Sequence, residues 1–215
     1  MVRYVPVMLN CEGQRCIIFG GGSVAERKAG SLHQAGASVH IISPQLTPGL
    51  SAMAASGDVA WTSRLYREGD LQGAFLVYAA TGQEDINEEI ASEARRLGIM
   101  VNVAHRGESG DFISPAVLRR GRLTLAVSTA DAGPLASLHV CRRLSEEFGE
   151  TFDAYLEFMS QMRTIIKDKI ETPSTRHRLL RKLYEQDFLR DMEQGVFTPW
   201  SMDQIDEWIT YNQED

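Results

Sequence analysis

Two short stretches carry residue types and spacings that can do chemistry. In IIFGGGSVAERK, Gly20, Gly22 and Ala25 form a G-x-G-x-x-A array between an apolar run and a helix-like segment. That is the context a dinucleotide fingerprint requires. Gly20 permits the tight turn, Gly22 lets the backbone approach a pyrophosphate, and Ala25 lets the helix pack closely on the sheet. The helix start at Ser23 and Val24 then offers unpaired N–H groups to phosphate oxygens. In MVNVAHRGESGDFISP, residues 100–115, a strand-like run breaks into a polar loop with His105, Arg106, Glu108 and Asp111, then closes on Phe112, Ile113 and Pro115. An imidazole that titrates near neutrality suits general-base work. For His105 three roles stay open: direct catalysis, contact with a substrate, and a loop histidine that does neither.

The elements that must position these residues alternate from Arg15 to Val103. RCIIF is a short apolar run, read as a buried strand. SVAERKAGSLHQAG has helical spacing, with Val24, Ala25, Lys28, Leu32 and Ala35 on one face and Gly36 as its stop. SVHII is the next strand. TPGLSAMAASG reads as a short helix opened by Pro48 and ended by Gly57. AFLVYAA is a strand. DINEEIASEARRLG is a helix with acidic residues at its start, Arg95 and Arg96 in its last turn and Gly98 as its stop. IMVNV is another strand. This alternation predicts a parallel sheet covered on both faces. The loop at His105 then falls at the sheet end where open α/β folds bind ligands.

The strand LTLAVS and the helix GPLASLHVCRRLSEEFG, starting near Pro134, follow. After Gly149 the pattern becomes wholly helical. Phe152, Tyr155, Leu156, Met159 and Ile166 share one helix face. Thr172 and Pro173 interrupt it, and Leu179, Leu180, Leu183 and Leu189 build a second. Ser201 and Gln204 stand at capping-box spacing before a last helix.

The second strand of the dinucleotide unit ends HIISP. It has no Asp or Glu for the ribose hydroxyls, and no Arg or Lys follows at once for a 2′-phosphate. Ser43 can hydrogen-bond a ribose, with the backbone around Pro44 helping. NAD is the expected cofactor, although these residues by themselves leave NADP open. Ala80 and Thr81, ending AFLVYAA, are expected to line the cofactor cleft.

The chain has 215 residues, enough for one domain of ordinary size and a smaller appendage. A formal charge of −7 argues against general nucleic-acid binding. The basic clusters at Arg119, Arg120 and Arg122, and at Arg176, Arg178, Arg181 and Lys182, are either solvated faces or seats for an anionic ligand. No apolar run is long enough to span a membrane, and MVRYVPVMLN lacks the apolar core of a signal peptide, so a cytoplasmic protein is expected. Cys11, Cys16 and Cys141 form no metal-ligand spacing and are read as free thiols. No metal site is expected.

Four stretches resemble the precorrin-2 dehydrogenase/sirohydrochlorin ferrochelatase family of sirohaem biosynthesis. They are FGGGSVAERKAGSLHQAGASVHIISP, LVYAATGQEDINEEIASEARRLGIMVNVA, GDFISPAVLRRGRLTLAVST and GPLAS, in family order over roughly residues 5–145. The resemblance implies an α/β fold: a Rossmann-like parallel sheet over residues 1–113, a dimerisation segment over 114–149 and a small C-terminal helical domain over 150–215. It implies a homodimer that oxidises precorrin-2, an anionic tetrapyrrole, to sirohydrochlorin with NAD. Some members also insert ferrous iron. Asn102, Arg119 and Arg120 are then candidates for holding the substrate, because a polycarboxylate needs cations and hydrogen-bond donors. Where the family often carries a catalytic Asp after N-V-V, this chain has His105. Asp111 matches another acidic position of the family and is the second catalytic candidate. The family's G-G-x-S-P is here ADAGP, which puts Asp131 at a usual glycine and Gly133 at a usual serine. A carboxylate stays negative as cationic iron approaches, whereas neutral imidazole does not, so dehydrogenation is expected to survive and iron insertion to be weak or absent. Two other readings compete: a non-catalytic module that senses NAD and signals through its helices, and an NAD-dependent dehydrogenase of another substrate.

Overall fold

The computed structural model describes residues 4–104 and 109–213, except for the side chain of Asp131. The chain divides into two compact units, Met1–Ser114 and Pro115–Asp215.

The first unit is a five-stranded sheet. Its elements are β1 (Arg15–Phe19), α1 (Ser23–Gln34), β2 (Ser38–Ile42), α2 (Pro48–Ser56), β3 (Ala60–Thr62), β4 (Leu76–Ala79), α3 (Glu84–Leu97) and β5 (Met100–Val103). The strand order is β3-β2-β1-β4-β5, and every pairing is parallel. Cys16, Ile17, Ile18 and Phe19 are wholly buried, because helices cover both faces of the central strand. On one face Ala25, Ala29 and Leu32 of α1 pack against Ile18, Ile41 and Tyr78. On the other, Ile90, Ala91 and Ala94 of α3 pack against Phe19, Val77 and Val101. The direction of winding reverses between β1 and β4, where such sheets open a crevice.

Local chemistry ends the helices where the sequence indicates. The Thr47 hydroxyl caps α2 by accepting the Leu50 N–H at 3.3 Å, with Pro48 in the first turn. Gly57 and Gly98 close α2 and α3 in left-handed conformations. The third strand is harder to read in the sequence. AWT is three residues long, lies at the sheet edge and has no buried residue. Burial, followed by the neighbouring Cys11, pushes the Cys16 thiol up to about 12. Cys11, Cys16 and Cys141 are all buried free thiols.

The second unit begins with a hairpin, β6 (Ala116–Arg120) and β7 (Leu123–Val127), paired antiparallel with Leu118 opposite Leu125. The expected strand LTLAVS is therefore half of a separate two-stranded sheet. Its partner AVLRR also alternates half-buried and exposed residues, so Arg119 and Arg120 belong to a strand rather than to a helix face or loop. Helix α4 (Gly133–Glu147) packs on this hairpin and buries Ser137 and Cys141.

Helices α5 (Glu150–Lys169), α6 (Pro173–Tyr184), α7 (Phe188–Glu193) and α8 (Met202–Gln213) share a core of Phe158, Met162, Ile166, Leu179, Leu183, Phe188, Ile205 and Ile209. The second amphipathic helix stops at Tyr184, so Leu189 falls in α7 instead. The break lets Phe188 turn into an aromatic cluster, 5.0 Å from Phe158 and 5.1 Å from Trp200 between ring centroids. The capping box before α8 forms: Ser201 N–H donates to Gln204 Oε1 at 2.9 Å, and Gln204 N–H to Ser201 Oγ at 3.3 Å. Among the described residues no helix is long and apolar enough to cross a membrane.

Candidate functional site

A cavity of about 520 Å³ opens at the C-terminal ends of β1, β2 and β4. Eight residues expected at a cofactor line it together: Gly20, Gly22, Ser23, Val24, Ser43, Pro44, Ala80 and Thr81. Gly21, Ile42, Leu65, Tyr66, Gly82, Gln83 and Ile86 complete the wall.

The three glycines of the turn do different things. Gly20 has φ +116°, and a Cβ there would collide with the carbonyl of Ala80. Its N–H donates to Ile42 O at 3.1 Å, tying β1 to β2 at the cavity floor. A Cβ on Gly21 would strike the carbonyl of Gln45, which packs the β2–α2 loop against the turn. Gly22 is unlike both. It is the N-cap of α1 at φ −87°, no side chain caps the helix, and a Cβ there would meet nothing within 4 Å. Its missing side chain leaves open the space directly over the helix N-terminus, which is the anion-binding end of a helix.

Two buried polar residues brace the other wall. Asn87 of α3 is 3 % exposed. Its Oδ1 accepts the Thr81 N–H at 3.0 Å and lies 2.7 Å from the Thr81 hydroxyl, and its Nδ2 donates to Thr81 O at 3.2 Å. Glu93, also on α3, accepts the Tyr66 hydroxyl at 2.6 Å and the Gly69 N–H at 2.8 Å. Burial, then this hydrogen bond from the Tyr66 hydroxyl to Glu93, drives the Tyr66 phenol well above its ordinary pKa. Tyr66 is thus a neutral wall, packed edge-on to Phe19 at 5.3 Å. The sequence reading did not single out Asn87, Glu93 or Tyr66. The available signal was that Asn87 and Glu93 fall on the apolar face of α3 with Ile90, Ala91 and Ala94.

The return of the polar loop lies along the β5 edge rather than in the cavity wall. Asp111 pairs with Val101 twice: its N–H donates to Val101 O at 2.8 Å, and its Oδ2 accepts the Val101 N–H at 2.9 Å. Gly110 lies so close to β5 that a Cβ would stand 2.8 Å from Val101 O. Asn102 is 8 % exposed and donates to Phe112 O at 2.8 Å. Phe112 meets the Tyr78 ring edge-on at 5.4 Å, and the Tyr78 hydroxyl reaches Ser114 Oγ at 3.2 Å. Over the same Tyr78 ring, 5.3 Å from its centroid, sits the Lys28 ammonium. His105 lies outside the described residues. Arg119 and Arg120 belong to the second unit, where Arg120 Nη1 donates to Phe148 O at 2.5 Å.

A parallel sheet with a bare glycine turn at its crossover and an uncapped helix over that turn defines a dinucleotide-binding α/β unit. A family model described as "Putative NAD(P)-binding" matches residues 7–116, and the chain belongs to that family. It is 34% identical over 169 residues to the siroheme synthase of Nitrosococcus oceani, which covers 79% of this chain and 36% of that protein. It is 32% identical over 184 residues to the siroheme synthase of Chromobacterium violaceum, covering 86% and 39%. The chain thus spans about two-fifths of the length of these curated relatives. It also resembles the solved structure of SirC, precorrin-2 dehydrogenase, with a TM-score of 0.75 and 25% identity over 99% of this chain and 100% of that one.

Proposed function

We propose that the chain is an NAD-dependent precorrin-2 dehydrogenase that makes sirohydrochlorin in sirohaem biosynthesis. The observation that carries this reading is the end-to-end likeness to SirC, joined to a cavity whose wall is the glycine turn and the ends of β2 and β4. NAD would supply the hydride acceptor. Gly22, Ser23 and Val24 would hold its pyrophosphate, Ser43 its ribose, and Ala80 and Thr81 the stretch leading to the nicotinamide. The reaction removes a hydride and a proton from precorrin-2, giving sirohydrochlorin, NADH and H⁺. The work of the residues is therefore mainly alignment of donor and acceptor. Thr81, gripped by Asn87, and Tyr66, held by Glu93, supply a rigid wall for that alignment. His105 and Asp111 remain the catalytic candidates, and Asn102, Arg119 and Arg120 the substrate-binding ones. Asp111 and Asn102 would serve from the loop return along β5, where Asp111 accepts the Val101 N–H and Asn102 donates to Phe112 O.

The three-part division at 1–113, 114–149 and 150–215 and a cytoplasmic homodimer belong to the same proposal. Support for the dimer comes from apolar side chains left exposed within 114–149: Leu135, Leu138 and Val140 on α4, and Val117 on β6. The decisive experiment mixes the protein with precorrin-2 and NAD without oxygen and follows NADH and sirohydrochlorin absorbance. Both should rise together. Dinucleotide binding with neither product would overturn the dehydrogenase reading in favour of a sensor or a different substrate.

A further inference from the structure

None of the described residues lining the cavity carries a charge. At the end of β2, where the adenosine ribose of a bound dinucleotide lies in this fold, the donors of Ser43 are already spent. The Ser43 hydroxyl donates to Gln45 O at 2.8 Å, the Ser43 N–H donates to Thr62 O at 3.2 Å, and Pro44 brings no N–H. The lone pairs of Ser43 Oγ remain and can accept from a sugar hydroxyl.

A cationic residue stands next to this end, with its guanidinium engaged by other groups. Ser63 Oγ donates to Pro44 O at 3.3 Å, so the end of β3 lies beside Pro44, and Leu65 lines the cavity two residues further on. Between them is Arg64. Its Nη1 and Nη2 each donate to a different carboxylate oxygen of Asp70, both at 2.7 Å, and the two side chains are only 29% and 12% exposed. Asp70 also accepts the Arg67 N–H at 2.9 Å. Burial pushes the Asp70 carboxyl up, but the bonds from Arg64 and Arg67 outweigh it and hold it below the usual carboxylate range. The pair is therefore ionised throughout the neutral range.

We propose that the Arg64–Asp70 pair sets the choice between the two nicotinamide dinucleotides: Asp70 withholds Arg64 from the ribose end, leaving an acceptor surface that suits the 2′-hydroxyl of NAD and repels the 2′-phosphate of NADP. A two-pronged guanidinium–carboxylate contact is the geometry that competes best with a phosphate for arginine. The inference rests on the reading of the cavity as a nicotinamide-dinucleotide site.

The test is a binding titration of the full chain with NAD and with NADP. The wild-type protein should favour NAD by about tenfold or more. Asp70→Asn keeps an oxygen for the Arg67 N–H but loosens Arg64. It should tighten NADP about tenfold, the scale of one guanidinium–phosphate contact, with NAD unchanged. The double variant Asp70→Asn/Arg64→Gln should return to the wild-type preference. If Asp70→Asn does not melt cooperatively, Asp70→Ser, which keeps a hydroxyl acceptor, is read in the same way. A folded Asp70 variant with an unaltered preference overturns the proposal, as does a gain that persists without Arg64. Equal wild-type binding of both dinucleotides sinks the ion-pair proposal alone, whereas no binding of either sinks the cavity reading with it.

Discussion

Asn87 holds Thr81 through three contacts at once: the Thr81 N–H at 3.0 Å, its hydroxyl at 2.7 Å and its carbonyl at 3.2 Å. One amide side chain thereby fixes the backbone at the end of β4, on the cavity wall. Asn87→Ala should cost about 1–3 kcal/mol in urea unfolding, because buried backbone groups lose their partners. NAD affinity should fall more than general stability predicts, since Thr81 loses its fixed position. Asn87→Asp is the sharper probe. It keeps the acceptor for the Thr81 N–H but sets a second acceptor against Thr81 O in place of the donor, so its NAD affinity should fall below that of wild type.

Gly20 and Gly22 should respond oppositely to alanine. At Gly20 the positive φ and the Ala80 carbonyl both reject a Cβ, so Gly20→Ala should lose about 3 kcal/mol or more of stability. At Gly22 the added methyl enters open space from an extended backbone, and the change in stability should stay within about 1 kcal/mol. That same open space is where pyrophosphate would dock, so NAD affinity should drop about tenfold or more. Thermal melts alongside NAD titrations separate the two effects. A Gly22→Ala variant that binds NAD normally would remove the pyrophosphate from this turn.

How much of this was legible in the sequence follows from how local each feature is. The glycine turn could be read because its strand, turn and helix occupy consecutive residues, and because β1 is apolar on both faces. The C-caps at Gly57 and Gly98 are local in the same sense. The cavity wall was readable only in part. Tyr66 meets Glu93 across 27 positions, a separation no periodicity encodes. The same holds for the end of β3 beside Pro44: β3 is too short and too exposed to announce itself, so Arg64 could not be placed near the ribose end. In β6 the run AVLRR shows no alternation of residue type, because apolar Val117 is exposed while Arg120 is half-buried.

Lys28 gives a pH signature. Burial, then repulsion from Arg27, lowers its ammonium from 10.5 to about 8. Between those values the unfolded chain binds more protons at this residue than the folded one. Its contribution to stability must therefore rise with pH across that window, and the burial cost is greatest at neutrality. Lys28→Met should be more stable than wild type near pH 7, with the difference shrinking toward pH ~9.5. Comparing the two proteins is essential, because the raised Cys16 thiol works against folding over part of the same range and cancels only in the difference. Urea unfolding at the two pH values reads it directly. A difference independent of pH would mean that Lys28 titrates like a solvated lysine.

Iron insertion tests the role proposed for His105, which the family resemblance sets where a carboxylate is common. Chelation must strip two pyrrole protons from sirohydrochlorin while a ferrous ion approaches. A carboxylate lowers the energy of the incoming cation throughout, whereas a neutral imidazole offers a ligand nitrogen but no charge. Dehydrogenation makes no such demand, since bound NAD would take the hydride and the proton could leave to water. Under anaerobic conditions the wild-type protein should therefore oxidise precorrin-2 while inserting iron little faster than free solution does. His105→Asp should raise the insertion rate and leave oxidation within a few-fold of wild type. His105→Ala separates the remaining roles: a large fall in kcat with an unchanged KM marks a base, and a raised KM alone marks a substrate contact. Rapid insertion by the wild-type protein would show that imidazole suffices for both reactions, and the absent carboxylate would then carry no functional meaning.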